Sequence, residues 1–329
     1  MTDPRPARPI FTKPFLLLNP VAGTTSAEDV RAAFERACER FGWSGQMHET
    51  AAEDDPVLIV REALQGGADL VLAAGGDGTV SAAASALVGS RVPLAIIPSG
   101  TANFLATDLG IPGDIDAAFA YLAAGAHDLL LDAMRIGERH YVLNVGVGLS
   151  STIMKNTSRE GKRRFGMLAY LWSGIRTLAG KQLHKFSLVV DGTALDIRAA
   201  EILICAGGLF GKLVNLQDVQ VKPDDGVVDI FIIQARNLKD YLVLGYYLLI
   251  GRPRSSAKII YLRAQDRVRI DARKPLLVEG DGDLLHETPV EIRVVPRAVR
   301  ILVPDSTDQH SQGKISVLRK IIKIPESPA

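Results

Sequence analysis

Three short loops carry the residue types best suited to chemistry. They are Asn19-Pro20-Val21-Ala22-Gly23-Thr24, Gly75-Gly76-Asp77-Gly78-Thr79 and Pro98-Ser99-Gly100-Thr101-Ala102-Asn103. Glycine lets a backbone take positive φ and lets phosphate oxygens approach its N–H groups. A helix opening near Val80 would aim its positive end at such a phosphate. Asp77 would repel phosphate unless a divalent cation lay between them, so the loops together predict a nucleotide with Mg²⁺. Near the C-terminus, Asp281 and Asp283 flank Gly282. Two residues apart on an extended chain, they would share a face. The same four residues, Gly280 to Asp283, are also turn chemistry.

Each loop follows an apolar run: Phe15–Leu18, Asp69–Ala74 and Leu94–Pro98. Helical patterns lie between them at Ala27–Phe41, Val57–Leu64 and Val80–Val88. Alternating strands and helices predict a parallel sheet covered by helices, with ligands at the carboxyl ends of the strands. After Asp132 the runs become β-type: His140–Val145, Lys185–Val190, Ala200–Cys205, Val227–Ile233, Val268–Asp271 and Val290–Val295. Turns such as Asp191-Gly192 and Asp225-Gly226 bound them, which is the pattern of an antiparallel sandwich. Helices are expected around Arg164–Leu178 and Leu238–Ile250.

The chain of 329 residues is long enough for two domains, and 47% hydrophobic residues can fill their cores. A net charge of +1 excludes polyanion binding by bulk charge, and no nucleic-acid motif is present. Cys38 and Cys205 offer neither a disulfide framework nor metal spacing and fit a reducing compartment. The proline-rich N-terminus is not expected to be a secretory signal. Tyr241–Gly251 is too short to span a bilayer and is expected to be a buried helix. P-loop, protein-kinase and dinucleotide fingerprints are absent.

In order along the chain, LNPVAG at 18–23, GGDGTV at 75–80, PSGTANFLA at 98–106, NVGVG at 144–148, PDDGVVD at 223–229 and EGDGDLL at 279–285 resemble the diacylglycerol kinase catalytic-domain family. That family includes bacterial lipid kinases and the sphingosine and ceramide kinases. The resemblance implies an α/β nucleotide-binding domain over 12–133 and a β-sandwich lipid-substrate domain over 134–304, with the active site in the cleft between them and a basic tail over 305–329. It implies an ATP- and Mg²⁺-dependent kinase that moves a γ-phosphoryl group to a lipid hydroxyl, diacylglycerol-like or sphingoid, in phospholipid metabolism. By motif, Asn19, Gly23 and Thr50 would meet the nucleotide. Gly75, Gly76, Asp77, Gly78 and Thr79 would cradle phosphates and metal, and Gly100, Thr101 and Asn103 would complete the pocket. Asp283, or Asp281 beside it, would be the base, with Asp77 the third catalytic carboxylate. Asp225, beside Lys222, Asp224 and Val227, would hold a structural Mg²⁺; an Asp-Gly turn is the alternative. Two positions depart from the family: Asp283 stands for a glutamate, and Phe104 for an aspartate found in many bacterial members.

The expected location is cytoplasmic, peripheral at the inner membrane surface. Lys155–Lys185 interleaves eight Lys/Arg with Phe165, Tyr170 and Trp172, and Ile315, Leu318, Ile321 and Ile322 form one face of a basic helix. Both segments suit an anionic membrane, and both could equally be solvated faces. Oligomeric state is left open, a homodimer being one candidate. The competing readings are a kinase of NAD, which shares GGDGT, and a non-catalytic nucleotide- or lipid-binding protein.

Overall fold

The fold is read from a computed structural model, in which residues 11–304 are described apart from 24, 125, 157–182, 208–220, 251, 253 and 254. The chain divides into two compact units. Of the described residues, the first holds 11–106, 111–128 and 300–304, and the second holds 107–110 and 129–299. The basic segment at 157–182, with its expected helix, and the tail after 304 lie outside the described residues.

The first unit contains β1 (Pro14–Leu18), α1 (Ala27–Phe41), β2 (Gln46–Glu49), α2 (Pro56–Gln65), β3 (Leu70–Gly75), α3 (Asp77–Leu87), β4 (Leu94–Pro98), α4 (Phe104–Asp108) and α5 (Ile115–Ala124). The strands are parallel in the order β2-β1-β3-β4. β1, β3 and β4 are buried at every residue, which is why they read as unbroken apolar runs. Local chemistry fixes the helix ends. Ser26 Oγ accepts from Asp29 N at 3.0 Å to cap α1, which stops at Gly42 with φ 68°. Asp55 caps α2 through Val57 N at 2.9 Å, with Pro56 in the first turn. The short edge strand β2, QMHE, has no apolar alternation, and the sequence gives no sign of it.

The second unit contains β5 (His127–Ile136), β6 (Arg139–Tyr141), β7 (Asn144–Gly148), α6 (Leu149–Asn156), β8 (His184–Val190), β9 (Thr193–Ala199), β10 (Glu201–Cys205), β11 (Val228–Ile233), α7 (Leu238–Leu249), β12 (Ile259–Ala264), β13 (Arg267–Ala272), β14 (Leu277–Gly280), β15 (Asp283–Glu287) and most of β16 (Val290–Val303). One antiparallel sheet runs β12-β11-β10-β7-β14-β15, and β16-β13-β8-β9 forms the other layer. Val145, Val147, Ile202, Ile204, Ile230 and Ile232 point from the first layer into a core shared with Phe186, Leu188, Val268, Ile270 and Ile292 of the second. The two-residue spacing within each set is that of strands with one buried face. The last residues of β16, from Arg300 on, belong to the first unit, where Ile301 pairs with Leu94.

Two expectations are corrected. The run His140–Val145 is not one strand, because the N–H groups of Val142 and Leu143 turn to the Asp281 carboxylate. Nor is α7 buried all round. Leu244 is inside, but Leu238, Leu242, Val243, Tyr246 and Ile250 are exposed. An apolar run shorter than a membrane span does not say which of its faces is covered. No helix among the described residues is long and apolar enough to cross a membrane.

Candidate active site

The three glycine loops meet at the carboxyl ends of β1, β3 and β4. A Cβ on Gly23 would sit 1.8 Å from the carbonyl oxygen of Ser99, and one on Gly100 would sit 2.3 Å from the Gly76 Cα. Only glycine permits both approaches. Gly23 also needs its left-handed backbone, at φ 69°. Asn19 N donates to Ala74 O at 2.9 Å, and its Nδ2 lies 3.4 Å from Thr79 Oγ1, tying the first loop to the second. Gly100 N donates to Asn103 Oδ1 at 3.0 Å while Asn103 Nδ2 donates to Gly100 O at 2.8 Å, closing the third loop with Asn103 at φ 51°. Thr101 is exposed beside it. Thr50 follows β2, its N–H bonded to Leu18 O at 2.8 Å. The structure thus brings these sequence-selected residues of the first unit together.

At the head of α3, Gly76 occupies the N-cap and supplies no side-chain bond. The Cβ direction of Gly78 opens on empty space. A helix start without a side-chain cap, set among glycines, leaves its first N–H groups to an anion. Asp77 Oδ1 accepts from Leu105 N at 3.2 Å, and further backbone bonds come from Phe104 and Asn103. Burial raises the Asp77 pKa, and those N–H bonds oppose the rise. Asp77 is the only acid in the three loops.

In the second unit, Asp281 and Gly282 are the centre of the β14–β15 turn, with φ of 48° and 92°. Asp281 and Asp283 are therefore not on an extended chain, which corrects the shared-face expectation. Asp281 Oδ2 accepts from Val142 N at 2.9 Å. Its Oδ1 accepts from Leu143 N at 3.0 Å and Asn144 N at 2.8 Å, while its own N–H donates to Asn144 O at 2.9 Å. Asp283 is exposed.

Two buried acids stand beside this turn: Glu279, which opens the EGDGDLL run but receives no role from it, and Glu201, which lies in no motif. Glu279 Oε1 accepts from Asn144 Nδ2 at 2.8 Å, and its Oε2 from Gly282 N at 3.3 Å. Glu201 accepts from Ser150 Oγ at 2.5 Å and Ser150 N at 2.9 Å. Both converge over Gly146, where a Cβ would lie 2.7 Å from Glu279 Oε1 and 2.9 Å from Glu201 Oε1. Burial pushes both carboxyls well above the usual glutamate range. At Glu279 the neighbouring Glu201 adds to the rise, whereas at Glu201 the Ser150 bonds oppose it. The available signal was an acid heading the apolar run of β10.

The Pro223–Gly226 loop is pinned by Asp132, whose carboxylate accepts from Gly226 N at 2.6 Å and Arg297 N at 2.8 Å. Asp225 is engaged by Arg263. Arg263 also lies 3.5 Å from buried Asp229, whose other oxygen, Oδ2, has no hydrogen-bond partner among the described residues. No group of three or more His, Cys, Asp or Glu among the described residues is arranged for a metal ion.

The chain matches the diacylglycerol kinase catalytic domain over residues 13–133 and the YegS C-terminal NAD kinase beta sandwich-like domain over 144–303. It is 25% identical to a diacylglycerol kinase of Bacillus subtilis, over 88% of this chain and 95% of that one. An uncharacterized protein of Synechocystis is 28% identical over 72% of this chain, which spans about half (55%) of that relative. A crystal structure of a diacylglycerol kinase from Bacillus anthracis shares the fold, with a TM-score of 0.72 at 23% identity over 91% of this chain and 99% of that one. The catalytic-domain match covers all three packed glycine loops, and the sandwich match covers the Asp281 turn; this chain belongs to the diacylglycerol kinase catalytic-domain family and is a lipid kinase.

Proposed function

We propose that this kinase transfers the γ-phosphoryl group of ATP, with Mg²⁺, to the hydroxyl of a diacylglycerol-like or sphingoid lipid. The observation that carries the reading is the helix start of α3, set among three interlocked glycine loops with one acid among them. Phosphoryl transfer asks for little covalent chemistry from the protein; it asks for positioning and charge neutralisation. The N–H groups at the head of α3 would receive phosphate oxygens over the open side of Gly78. Asn19, Gly23, Thr50, Thr79, Thr101 and Asn103 would border the nucleotide. Mg²⁺, when bound, supplies neutralisation of phosphate charge. One carboxylate with phosphate oxygens and water is an ordinary set for that ion, and Asp77 fits it. Arg263 holds Oδ2 of Asp225, so a metal at Asp225 would share that carboxylate with the guanidinium. Asp283, exposed and without the backbone bonds that hold Asp281, would accept the hydroxyl proton. ATP and a membrane-held hydroxyl together put the enzyme at the cytoplasmic face of the membrane.

The test is a panel of lipids and NAD with γ-labelled ATP, with and without Mg²⁺. Label extracted into the organic phase supports the reading. Label in NADP would replace it with the nicotinamide-dinucleotide reading, and no label in any product would leave a binding protein.

A further inference from the structure

Eight large hydrophobic side chains are exposed among the described residues, and five of them fall on α7 and its last turn: Leu238, Leu242, Val243, Tyr246 and Ile250. Val21, Leu58 and Leu284 are scattered singly on other elements, as on any soluble surface. The five recur at steps of four, one, three and four residues, which places them on one side of a helix. Helical bonding continues past Leu249, from Ile250 N to Tyr246 O at 3.0 Å and from Arg252 N to Tyr247 O at 2.8 Å. Leu242 is 67% exposed and Tyr246 60%, so the stripe is open along its middle.

Among the described residues of the helix and its two ends, the charges beside the stripe have one sign. Lys239 lies within it, and Arg236 and Arg252 stand exposed at its ends. The one acid of the helix, Asp240, lies on the other side, accepting from Arg236 N at 2.8 Å and paired with Lys258 at 3.1 Å. Isologous packing of two copies would set like stripes together and bring their cations close with no acid between them. An anionic lipid surface supplies both an apolar layer for Leu242 and Ile250 and negative headgroups for the cations. Tyr246, an apolar ring with a polar tip, suits the boundary between the two. A helix of 12 residues is about 18 Å long. That is too short to cross a bilayer and long enough to lie along its surface.

We propose that the exposed face of α7 is a surface by which this kinase rests on an anionic membrane; this rests on the reading that its substrate is a membrane lipid. It is a different stretch of the sequence from the basic segments at 155–185 and in the tail.

The test uses the full chain, with vesicles of phosphatidylcholine alone or with about 30% phosphatidylglycerol. Wild type is expected to sediment with the anionic vesicles, less so at high salt. Leu242→Asp with Tyr246→Ser should weaken that binding at least about tenfold, and Lys239→Glu should reduce it and its salt dependence. Turnover of a short-chain, water-dispersed diacylglycerol should stay within about twofold in these variants, since none touches the glycine loops or Asp283. Unchanged vesicle binding by the variants overturns the proposal. So does a wild-type dimer that Leu242→Asp dissociates while vesicle binding persists, because a second copy then covers the face. If wild type binds vesicles through α7 but phosphorylates no lipid, the substrate reading fails and the surface stands.

Discussion

Gly76 and Gly100 approach so closely that a single methyl on Gly100 would lie 2.3 Å from the Gly76 Cα and 2.8 Å from its nitrogen. Both obstacles are backbone, so neither can rotate away. Gly100→Ala should cost at least about 1–3 kcal/mol and separate the second and third loops, lowering the melt and the turnover together. Gly78→Ala is the contrasting variant. Its methyl meets nothing within 4 Å, and alanine in the first turn of a helix gains up to about 1 kcal/mol over glycine. Its melt should match or exceed wild type while its turnover falls, because the methyl occupies the side assigned to phosphate. A Gly78→Ala enzyme with full turnover and unchanged KM for ATP would move the phosphates elsewhere.

Asp77 combines two roles that substitution can separate. Its carboxylate holds Leu105 N, so Asp77→Ala should orphan a part-buried donor and cost about 1–3 kcal/mol. Asp77→Asn keeps an acceptor oxygen and removes the charge. The asparagine variant should therefore melt closer to wild type than the alanine variant, yet lose turnover by about a hundredfold or more. Equal turnover in wild type and Asp77→Asn, across a range of Mg²⁺, would remove the charge from the mechanism.

The glycine loops were legible in the sequence because each requirement is local: a strand ends, the chain turns, a helix begins. β1, β3 and β4 were legible for a similar reason, as buried parallel strands carry unbroken apolar runs. Long-range partners were not. That Val142 and Leu143 surrender their N–H groups to Asp281, some 139 residues away, depends on a sheet in which β14 lies beside β7. The meeting of Glu201 with Glu279 over Gly146 depends on β10 and β14 both flanking β7. The face that α7 leaves open depends on what packs against the rest of it.

The two aspartates of the β14–β15 turn should behave oppositely. Asp281 accepts three backbone N–H bonds and fixes the turn, so Asp281→Ala should lower the melt by about 2–4 kcal/mol of stability, with any lost turnover following the fold. Asp283 is exposed, so Asp283→Ala should leave the melt near wild type and cut kcat by about a hundredfold or more. Asp283→Glu restores the longer carboxylate common in the family and should retain most of the activity. If Asp283→Ala turns over normally, the hydroxyl proton goes to another acceptor.

Glu201 and Glu279 give the second unit a pH dependence whose sign can be worked out. Burial raises both carboxyls above their usual 4.5. As pH rises past that value, an unfolded chain releases protons that the folded chain still holds, so stability falls with rising pH until the folded carboxyls have titrated, in the neutral range and above. Tyr241, Cys205 and Asp281 also face the pair, and none supplies a positive charge to offset it. Glu279→Gln and Glu201→Gln resemble the protonated side chain and cannot ionise. Each should flatten the decline of the melting temperature between about pH 5 and pH 8, leaving the variants less stable than or equal to wild type at the acid end and more stable at the alkaline end. Melts of the three proteins across that range decide it. Parallel curves for wild type and both variants would show that the pair stays ionised when folded, and that Ser150 and Asn144 hold it so.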